Sequence, residues 1–448
     1  MKKQIFLDEY FGEDIKAFSQ YAAYRSIASY TDGLKNSQRK VVYTTQEKMG
    51  DKIEKVSRLA STVSLETEYL HGETSLEGAI VGLVRNWDKN LCIYDEKGKY
   101  GSRAIPKAAS SRYIYTKRSK QFTAVFPDEF KEIKESQYFE GNKIEPKTLV
   151  STLPLILING NSGVGSGYSQ LILPHSRETI QGIIEKYLKS KAKDKSKILD
   201  VEIPVEYPGY RGVIKTVTEA GQRKTYFSGV VKKKNTTTVE ISELPIGYTI
   251  ATYNKVLEVM IDKKHIVDYR DFTKGNDFRY EIKVRREVIK DKTEDDLLEF
   301  FKLKKTQTEN FVTTTENNSF RIFQDEKEIL KDYIEFTLGK MEELRIYQIE
   351  KLQKELSLLS EKARFIKLVM DGKIKIAKQK RVQVEVQLKK NNFEEDKTDI
   401  LISMKIYSLT QEEYNKIKMK EQEKRVELEQ KQKETPENLY LKMLKKIF

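Results

Sequence analysis

The chain has 448 residues, and its 82 Lys and Arg against 68 Asp and Glu give a formal charge of +14, which favours a polyanionic partner such as nucleic acid. The single cysteine, Cys92, excludes an intrachain disulfide, and the presence of only three histidines excludes a His-rich metal site. The N-terminal stretch MKKQIFLDEYFGED has no apolar signal core, and no apolar run is long enough to span a membrane, so we expect a cytoplasmic or nuclear protein.

The first predicted helix begins near Asp14 and places Ile15, Phe18 and Ala22 on one face. The breaker Asp32-Gly33 ends this region. A second helix is predicted after it.

The segment after Asn36 predicts a helix whose first turns carry three hydrogen-bond donors, Gln38, Arg39 and Lys40. Basic residues at this end oppose the helix dipole, whose N-terminus prefers anions. A helix start that carries such donors is nevertheless a good phosphate site. Taken alone, these residues leave two interpretations open: a phosphate site and a solvated basic face.

Residues 52–66 predict a further helix, and a capping box at Thr74 and Glu77 predicts another after the break at His71-Gly72. Apolar residues recur at helical spacing in both: Ile53, Val56, Leu59, Ala60 and Val63, then Leu76, Ala79, Ile80, Leu83 and Val84. Two helices joined by a glycine-containing turn favour helix-turn-helix DNA binding, although such pairs are common in proteins that bind no DNA. His71 alone is more simply explained by a capping or packing role.

Residues 90–103 predict a short hairpin closed by Lys97-Gly98-Lys99, which would form a wing beside the helix pair. The stretch YGSRAIPKAASSRYIY (100–115) then places Arg112 next to Tyr113. A free tyrosine hydroxyl has a pKa of about 10 and is a poor nucleophile, but an adjacent guanidinium favours the ionised form and holds a phosphate. Alone, Tyr113 is more simply a packing tyrosine; with the helix pair and the wing it becomes a candidate nucleophile.

Residues 149–176 predict an apolar strand that runs into a loop rich in Gly and Ser. Gly160 and Gly165 have P-loop spacing, but Ser166 stands where that motif needs a lysine, so nucleotide binding is not expected. Val164 is the only bulky apolar residue of the loop and is a candidate wedge between base pairs.

Residues 200–290 alternate as strands of an antiparallel sheet around one helix near Tyr253–Lys264, without a catalytic cluster. A long helix is predicted from Asp325 to Met370, because apolar residues recur at spacings of three and four in a coiled-coil seam: Ile349, Leu352, Leu356, Leu359, Ala363, Ile366 and Met370. A second helix, opened by a capping box at Thr410 and Glu413, is expected to return antiparallel to it, with residues 372–409 as a globular tip. Two unconnected surface helices are the alternative.

Six segments stand in the order found in one known family: Arg25 with DGLKNSQRK (32–40), YLHGETS (69–75), KYGSR (99–103), AASSRY (108–113), INGNSGVGSGYSQLILPHS (158–176) and IYSLTQEE (406–413). Together they resemble the breakage-reunion subunit of type IIA DNA topoisomerases, especially the medium subunit of T-even-like phage enzymes. The gyrase A and topoisomerase IV subunits are larger relatives. Each motif is weak alone, but the ordered set is highly specific.

The resemblance implies a role for each matching residue. Tyr113 would form a transient 5′-phosphotyrosyl bond, and Arg112 and Arg25 would stabilise charge on that phosphate. Residues expected to contact DNA around the cleavage site are Lys35, Gln38, Arg39, Lys40, His71 and, at the position of the family's intercalating isoleucine, Val164. Gln38 stands where gyrase has histidine, and Tyr69-Leu70 replace the usual His-Pro, so some backbone contacts are expected to differ.

The resemblance also implies an α+β, multidomain fold. Residues 1–150 would form N-terminal helices and a winged-helix DNA-cleavage domain, 151–324 a mixed α/β tower, and 325–448 a long antiparallel coiled coil with a globular C-gate tip. The family closes its exit gate where two such tips meet, so a homodimer through roughly 372–409 is expected.

The family's metal site lies in a Toprim domain with a Glu and an Asp-x-Asp, and no Asp-x-Asp or Walker A motif occurs in this sequence. Mg²⁺ and ATP are therefore expected on a Toprim/ATPase partner subunit, with no metal held by this chain. Because the sequence ends soon after the predicted coiled coil, we expect no DNA-wrapping domain like that of gyrase A. We expect ATP-dependent relaxation and decatenation of double-stranded DNA, but no negative supercoiling.

Two other classes share part of this pattern. A tyrosine recombinase also uses Arg and Tyr on DNA, but it needs His-x-x-Arg, and no histidine here has an arginine three residues on. A non-enzymatic architectural DNA-binding protein with a winged helix and a coiled-coil arm is the alternative. Such a protein would bind DNA and never form a covalent adduct.

Overall fold

A computed structural model describes residues 10–219, 221–317, 319–376, 379–405 and 409–447 of the chain. It divides into two compact units, Met1–Thr337 with Tyr440–Phe448, and Leu338–Leu439. The division of the sequence at 150 and 324 stays a prediction. Among the helices of these described ranges, none combines the length and apolar character needed to cross a membrane.

The first unit begins with helices that the sequence predicts. Its first elements are a π-helical turn (Tyr10–Asp14), α1 (Ile15–Ser26), α2 (Asn36–Thr44), a second π-helical turn (Thr45–Met49), β1 (Glu54–Lys55), α3 (Val56–Glu66) and α4 (Glu73–Val84). The predicted apolar face of α1 is wrong at Phe18, which is 68% exposed, while Ala23 is buried. Helix α3 begins later than predicted because residues 54 and 55 pair as a strand.

The start of α4 differs from the predicted capping box. Gly72 is the N-cap residue and supplies no side-chain cap. The helix therefore begins before Thr74, and Glu77 lies too far along it to reach back to the N-cap. The Glu77 carboxylate instead accepts a hydrogen bond from the Ser111 hydroxyl at 2.6 Å.

The strands in the region of the predicted wing pair differently from the predicted local hairpin. Strand β2 (Tyr94–Lys97) pairs antiparallel with β3 (Tyr115–Arg118), and β1 pairs with the other side of β3. The hairpin closed by Lys97-Gly98-Lys99 is therefore wrong, because residues 98–114 form the long connection between β2 and β3. That connection ends in a 3-10 turn, Ser111–Tyr113, directly before β3.

The structure of residues 122–172 differs from the predicted apolar strand and Gly/Ser loop. It contains α5 (Phe122–Val125), a 3-10 turn (Asp128–Glu132), β4 (Gln137–Phe139), β5 (Asn142–Ile144), α6 (Leu155–Ile158), β6 (Asn161–Gly165) and β7 (Tyr168–Ile172). The predicted apolar strand is in part the short, fully buried helix α6. The predicted Gly/Ser loop is a β-hairpin, β6–β7, with Ser166 and Gly167 at its turn.

Two glycines allow this hairpin to lie on α1. A Cβ atom at Gly163 would be 1.9 Å from the carbonyl oxygen of Ser26, and one at Gly165 would be 2.6 Å from the Cα of Ala23. Only glycine permits so close an approach of two backbones. The hairpin that carries Val164 is thereby fixed against the helix that carries Arg25.

The antiparallel strands predicted between 200 and 290 are confirmed. After α7 (Arg177–Lys189) and α8 (Ser196–Leu199) come β8 (Val213–Glu219), β9 (Gln222–Ser228), β10 (Val230–Asn235), β11 (Thr238–Glu243), α9 (Ile250–Asp262), β12 (Asp268–Asp271), β13 (Tyr280–Lys283), α10 (Arg286–Ile289), α11 (Glu294–Phe300), β14 (Lys304–Thr308), β15 (Val312–Thr314) and β16 (Phe320–Ile322). They form sheets of order β14-β9-β8 and β10-β11-β13-β12, and the hairpin β15-β16. A core containing Tyr253, Leu257 and Tyr280 lies between the larger sheet and α9.

The long helix α12 (Glu326–Met370) is confirmed and continues from the first unit into the second. The second unit also contains α13 (Arg381–Lys390), α14 (Glu395–Ile402) and α15 (Gln411–Lys433), and α16 (Pro436–Leu444) follows.

Helices α12 and α15 run antiparallel in the second unit, as predicted. Lys424 pairs with Glu355 at 3.1 Å, whereas Ile417, earlier in α15, packs with Ala363 and Ile366, later in α12. Met370, expected in the same seam, is instead 41% exposed.

The segment between these helices has its own small core, which contains Ile374, Leu388 and Leu401. The side chain of Thr410 caps α15 by accepting from the Glu413 N–H at 3.3 Å, which is one of the two bonds of the predicted capping box. Residues 406–408 of the motif 406–413 lie outside the described residues.

The contact between the hairpin and α1 yields a first prediction. Gly163→Ala forces a methyl group into the Ser26 carbonyl and should destabilise the chain by about 1–3 kcal/mol, the usual cost of overpacking. Gly182→Ala, in α7, meets nothing within 4 Å and should stabilise by about 0.5–1 kcal/mol, because alanine favours a helix. Urea midpoints of the two variants test this, and equal midpoints would contradict the close approach.

Candidate active site

The Arg112-Tyr113 pair lies on the surface with both side chains free. Tyr113 is 71% exposed, and Arg112 is exposed as well. Across the described part of the chain, neither side chain makes a hydrogen bond, ion pair or ring contact. A phenol and a guanidinium on adjacent residues, both exposed, can meet a phosphate from outside the chain.

The backbone that carries the pair is held firmly on both sides. The Tyr113 N–H donates to the Ser110 carbonyl at 2.9 Å, closing the 3-10 turn. The Ile114 carbonyl accepts from the Val56 N–H at 3.1 Å, at the start of α3. The free side chains therefore project from a fixed turn between a helix and a sheet.

His71 stands between two tyrosines. The Tyr21 hydroxyl is hydrogen-bonded to the Nε2 atom of His71 at 2.7 Å, and the Tyr69 ring meets the imidazole edge-on at 5.4 Å between centroids. Arg25 lies over the Tyr21 ring at 5.8 Å. Burial, and after it the nearby Arg25 charge, lower the pKa of His71, which favours the neutral imidazole. The structure thus brings two predicted site residues, Arg25 and His71, together through Tyr21, which sequence analysis missed.

Lys35 connects α2 to the hairpin β6–β7. Its Nζ atom donates to the Ser162 carbonyl at 2.6 Å, two residues before Val164, and burial lowers its pKa. Gln38 accepts from the Lys35 N–H at 3.0 Å and so closes the first turn of α2. Part of the hydrogen-bonding capacity of Lys35 and Gln38 is therefore used within the chain.

The predicted phosphate contacts of Arg39 and Lys40 are not available in this structure. Arg39 is 2% exposed and pairs with Asp32 at 2.6 Å. Lys40 is 8% exposed and pairs with Glu145 at 2.7 Å. The alternative of a solvated basic face is also wrong at these two positions. Both cations face the interior, where an unpaired charge is costly and a carboxylate partner is needed.

Val164 is the most exposed large apolar residue of the hairpin, at 82%. It lies between Gly163 and Gly165, the two glycines that allow the hairpin to pack closely against α1. Tyr168, on the paired strand, stacks on Phe320 with ring centroids 4.3 Å apart. Val164 is suited to insert into a ligand, because its side chain is exposed while the backbone on either side of it is held against α1.

The cations of the site fall into two groups. Arg25, Lys35 and Arg112 have no carboxylate partner among the described residues, whereas Arg39 and Lys40 do. In the same residues, no group of three or more His, Cys, Asp or Glu is arranged to hold a metal ion. The site thus offers an exposed phenol hydroxyl together with cations that no carboxylate neutralises, a combination that suits a phosphate polymer.

Sequence analysis missed the carboxylates that organise these cations. Asp32 had a local signal, since it directly precedes Gly33 and lies seven residues before Arg39. Glu145 had none, because it is 105 residues from Lys40.

Comparison with known proteins decides the family. The family model that describes the DNA gyrase/topoisomerase IV A-type subunits matches residues 25–448. The chain belongs to this family. The resemblance drawn from the six ordered motifs is therefore confirmed.

Individual members of the family match over most of the chain. The DNA topoisomerase medium subunit of Enterobacteria phage T4 is 28% identical over 410 residues, covering 89% of both chains. DNA topoisomerase 2 of Penicillium chrysogenum is 31% identical over 94% of this chain. The chain spans only 28% of that relative, and 38% and 34% of its Caenorhabditis elegans and Plasmodium falciparum counterparts.

The fold is shared with a solved family structure. The topoisomerase II DNA-binding, cleavage and re-ligation domain of Plasmodium falciparum superposes with a TM-score of 0.84 and 28% identity. The match covers 98% of this chain and 63% of that one. The predicted α+β class is confirmed by this agreement.

The cluster around His71 yields a second prediction. Arg25→Gln removes a positive charge that lowers the pKa of His71, so that pKa should rise. It should stay below the ordinary value of about 6.5, because burial is the larger cause. NMR titration with isotope-labelled histidine measures this, and exposed His265 is the internal control. A His71 pKa that is unchanged or lower would contradict the assignment.

Proposed function

We propose that this chain is the DNA-breakage-reunion subunit of a type II DNA topoisomerase. The observation that carries the proposal is the free Arg112-Tyr113 pair on a fixed turn, in a chain whose relatives are named DNA topoisomerases. The Tyr113 oxygen attacks a backbone phosphorus and loses its proton. The bond from that phosphorus to the 3′ oxygen breaks, and the 3′ oxygen takes up a proton. The reverse attack reseals the strand.

The unpaired cations support the roles of the surrounding residues. Arg112 and Arg25 stabilise negative charge on the reacting phosphate, since neither is neutralised within the chain. Lys35 and His71 hold the neighbouring backbone, and Val164 enters between base pairs. Gln38 joins them through its amide nitrogen. Arg39 and Lys40 act in this arrangement by supporting α2 from inside.

The described elements support a finer layout. Helices α2 to α4 with strands β1 to β3 form a winged helix, and the sheets of β8 to β14 form the tower. Helices α12 and α15 form the coiled coil, with the small core of residues 374–402 as its tip.

The cofactors and the partner subunit follow from the same family resemblance. We propose that Mg²⁺ and ATP bind a Toprim/ATPase partner subunit, and that the assembly acts on double-stranded DNA in the cytoplasm, of a host cell if the chain is of phage origin. The described residues do not fit a metal site, because they offer no cluster of three ligating side chains. A non-enzymatic architectural DNA-binding protein is the second candidate, supported by the net positive charge alone.

The tip leads to a prediction about assembly. Val382 and Val386 lie one turn apart on α13 and are 67% and 61% exposed, which favours a contact with a second copy. The wild type should be a dimer at micromolar concentration, and V382D/V386D should be monomeric, because two carboxylates would be buried in the contact. Light scattering measures this, with V426D on α15 as the matched control. A monomeric wild type would contradict the proposed gate.

The chemical proposal has its own test. Tyr113→Phe removes one oxygen and no charge, so covalent DNA cleavage should be abolished, while DNA affinity, which depends on phosphate contacts by Lys and Arg, should change little. Arg112→Ala should lower both cleavage and affinity. The assay combines the full chain with candidate Toprim/ATPase subunits, ATP, Mg²⁺ and supercoiled plasmid, then traps the adduct with detergent.

Tyr115→Phe is the matched control, since Tyr115 is the other tyrosine of the same stretch and lies in β3. It should cleave like the wild type. A nucleotide mapped to Tyr115, or relaxation that persists in Tyr113→Phe, would refute the assignment. DNA binding without an adduct in any variant would favour the architectural protein.

A further inference from the structure

One side-chain hydrogen bond joins the turn Ser111–Tyr113 to a residue outside the turn. The Ser111 hydroxyl donates to the Oε1 atom of Glu77 at 2.6 Å. Among the described residues, this is the only side-chain hydrogen bond made by the turn Ser111–Tyr113. Glu77 belongs to α4, and the two residues are 34 positions apart.

We infer that Glu77, acting through Ser111, is a positioning residue that sets where Tyr113 meets DNA. The inference rests on the proposed nucleophilic role of Tyr113. It assigns Glu77 no contact with the reacting atoms.

The anchor is rigid because of the helix that carries it. Leu76 and Ile80, on either side of Glu77 in α4, are completely buried, so the helix cannot rotate without disrupting the core. Ser111 is the first residue of the turn, and Tyr113 is the third. A hydrogen bond to an ionised acceptor is shorter and stronger than one between neutral groups, which suits a 2.6 Å contact.

Positioning matters because the side chain of Tyr113 makes no hydrogen bond, ion pair or ring contact of its own among the described residues, so its place depends on the turn that carries it. The backbone bonds at Ser110 and Ile114 flank the turn, but its own side chains are otherwise free. A misplacement of about 1 Å at a reacting group costs on the order of 100-fold in rate. Loss of the Glu77 contact should therefore slow cleavage far more than it weakens binding.

The use of a carboxylate has an electrostatic cost. Glu77 contacts the residue next to Arg112, so its negative charge opposes the approach of a DNA phosphate. Glutamine keeps an oxygen that accepts from Ser111 and removes this charge. Glu77→Gln should therefore keep Tyr113 in position and raise the affinity for DNA slightly.

The chain provides a matched control for a merely structural role. Ser61 on α3 donates to Glu73 on α4 at 3.1 Å, so it forms the same pair of groups without reaching the turn. Ser61→Ala removes an equivalent bond. If the two Ser–Glu hydrogen bonds at α4 only stabilised the fold, Ser61→Ala and Ser111→Ala would change the rate of DNA cleavage to a similar extent.

The experiment compares Ser111→Ala, Glu77→Ala, Glu77→Gln and Ser61→Ala in the full chain with its partner subunit, plasmid DNA, ATP and Mg²⁺. Ser111→Ala and Glu77→Ala should slow adduct formation by roughly tenfold to 100-fold, with DNA affinity held within about twofold. The double variant should be no slower than the single ones, because both remove one interaction. Glu77→Gln and Ser61→Ala should cleave within about threefold of wild type, because both leave an acceptor for Ser111.

The outcomes separate this inference from the proposed function. If the wild type forms an adduct and Ser111→Ala forms it equally fast, only the positioning role is overturned. If the wild type forms none, the proposed function is overturned, and the positioning role with it.

Amide hydrogen exchange tests the inference a second time without requiring DNA cleavage. Amide hydrogen exchange over residues 110–114 of the DNA-free chain should be faster in Ser111→Ala and Glu77→Ala, and unchanged in Glu77→Gln and Ser61→Ala. Unchanged protection in Ser111→Ala would overturn the inference even if its cleavage were slow.

Discussion

The buried carboxylate of Asp32 joins the parts of the chain on which the candidate site depends. It accepts from the Nε and Nη2 atoms of Arg39 at 2.6 and 3.2 Å, and from the N–H groups of Leu34 and Leu149 at 3.0 and 3.1 Å. A buried charge is tolerated only when its partners are in place, and removing one leaves the other uncompensated. The start of α2, the turn before it and the segment before α6 are thereby held in one arrangement.

The rest of the surface follows from that arrangement. Gly33 has a φ of +70°, and a Cβ atom there would be 2.6 Å from the Ile156 nitrogen, so the turn lies directly against α6. The next residue pair leads into α2, and from there Lys35 reaches the Ser162 carbonyl. The exposed position of Val164 thus depends on packing that begins at Asp32, although no hydrogen bond joins the two residues.

The cations of the candidate site differ in whether a carboxylate pairs with them, and not in their charge. Arg39 and Lys40 stand in the same motif as Lys35, yet each has a carboxylate within 2.7 Å, and Lys35 has none among the described residues. Arg112 and Arg25 are likewise left unpaired in that part of the chain. The fold therefore uses some cations to hold a helix in place and leaves others without a carboxylate partner among the described residues, as the proposed contact with DNA requires. The same logic separates Tyr113, exposed and free, from Tyr253 or Tyr333, which are fully buried.

The sequence by itself determined the features that depend on neighbours a few residues away. Helical periodicity located α1, α3, α4 and the long α12, although the apolar face of α1 was wrong at Phe18. Alternation located the antiparallel strands, and the cap at Thr410 was correct in its side-chain bond. The ordered motifs also identified the family. These signals are readable because a helix or strand repeats its pattern within one or two turns.

Only the tertiary structure decided the contacts between distant segments. Strand β2 pairs with β3 across the whole connection that carries Tyr113, and apolar residues 155–158 form a short buried helix, which a short apolar run alone does not distinguish from a buried strand. Lys40 meets Glu145, Tyr21 meets His71, and Ser111 meets Glu77, over separations of 105, 50 and 34 residues. No local pattern encodes such partners, because their proximity arises only after the helices and sheets have packed.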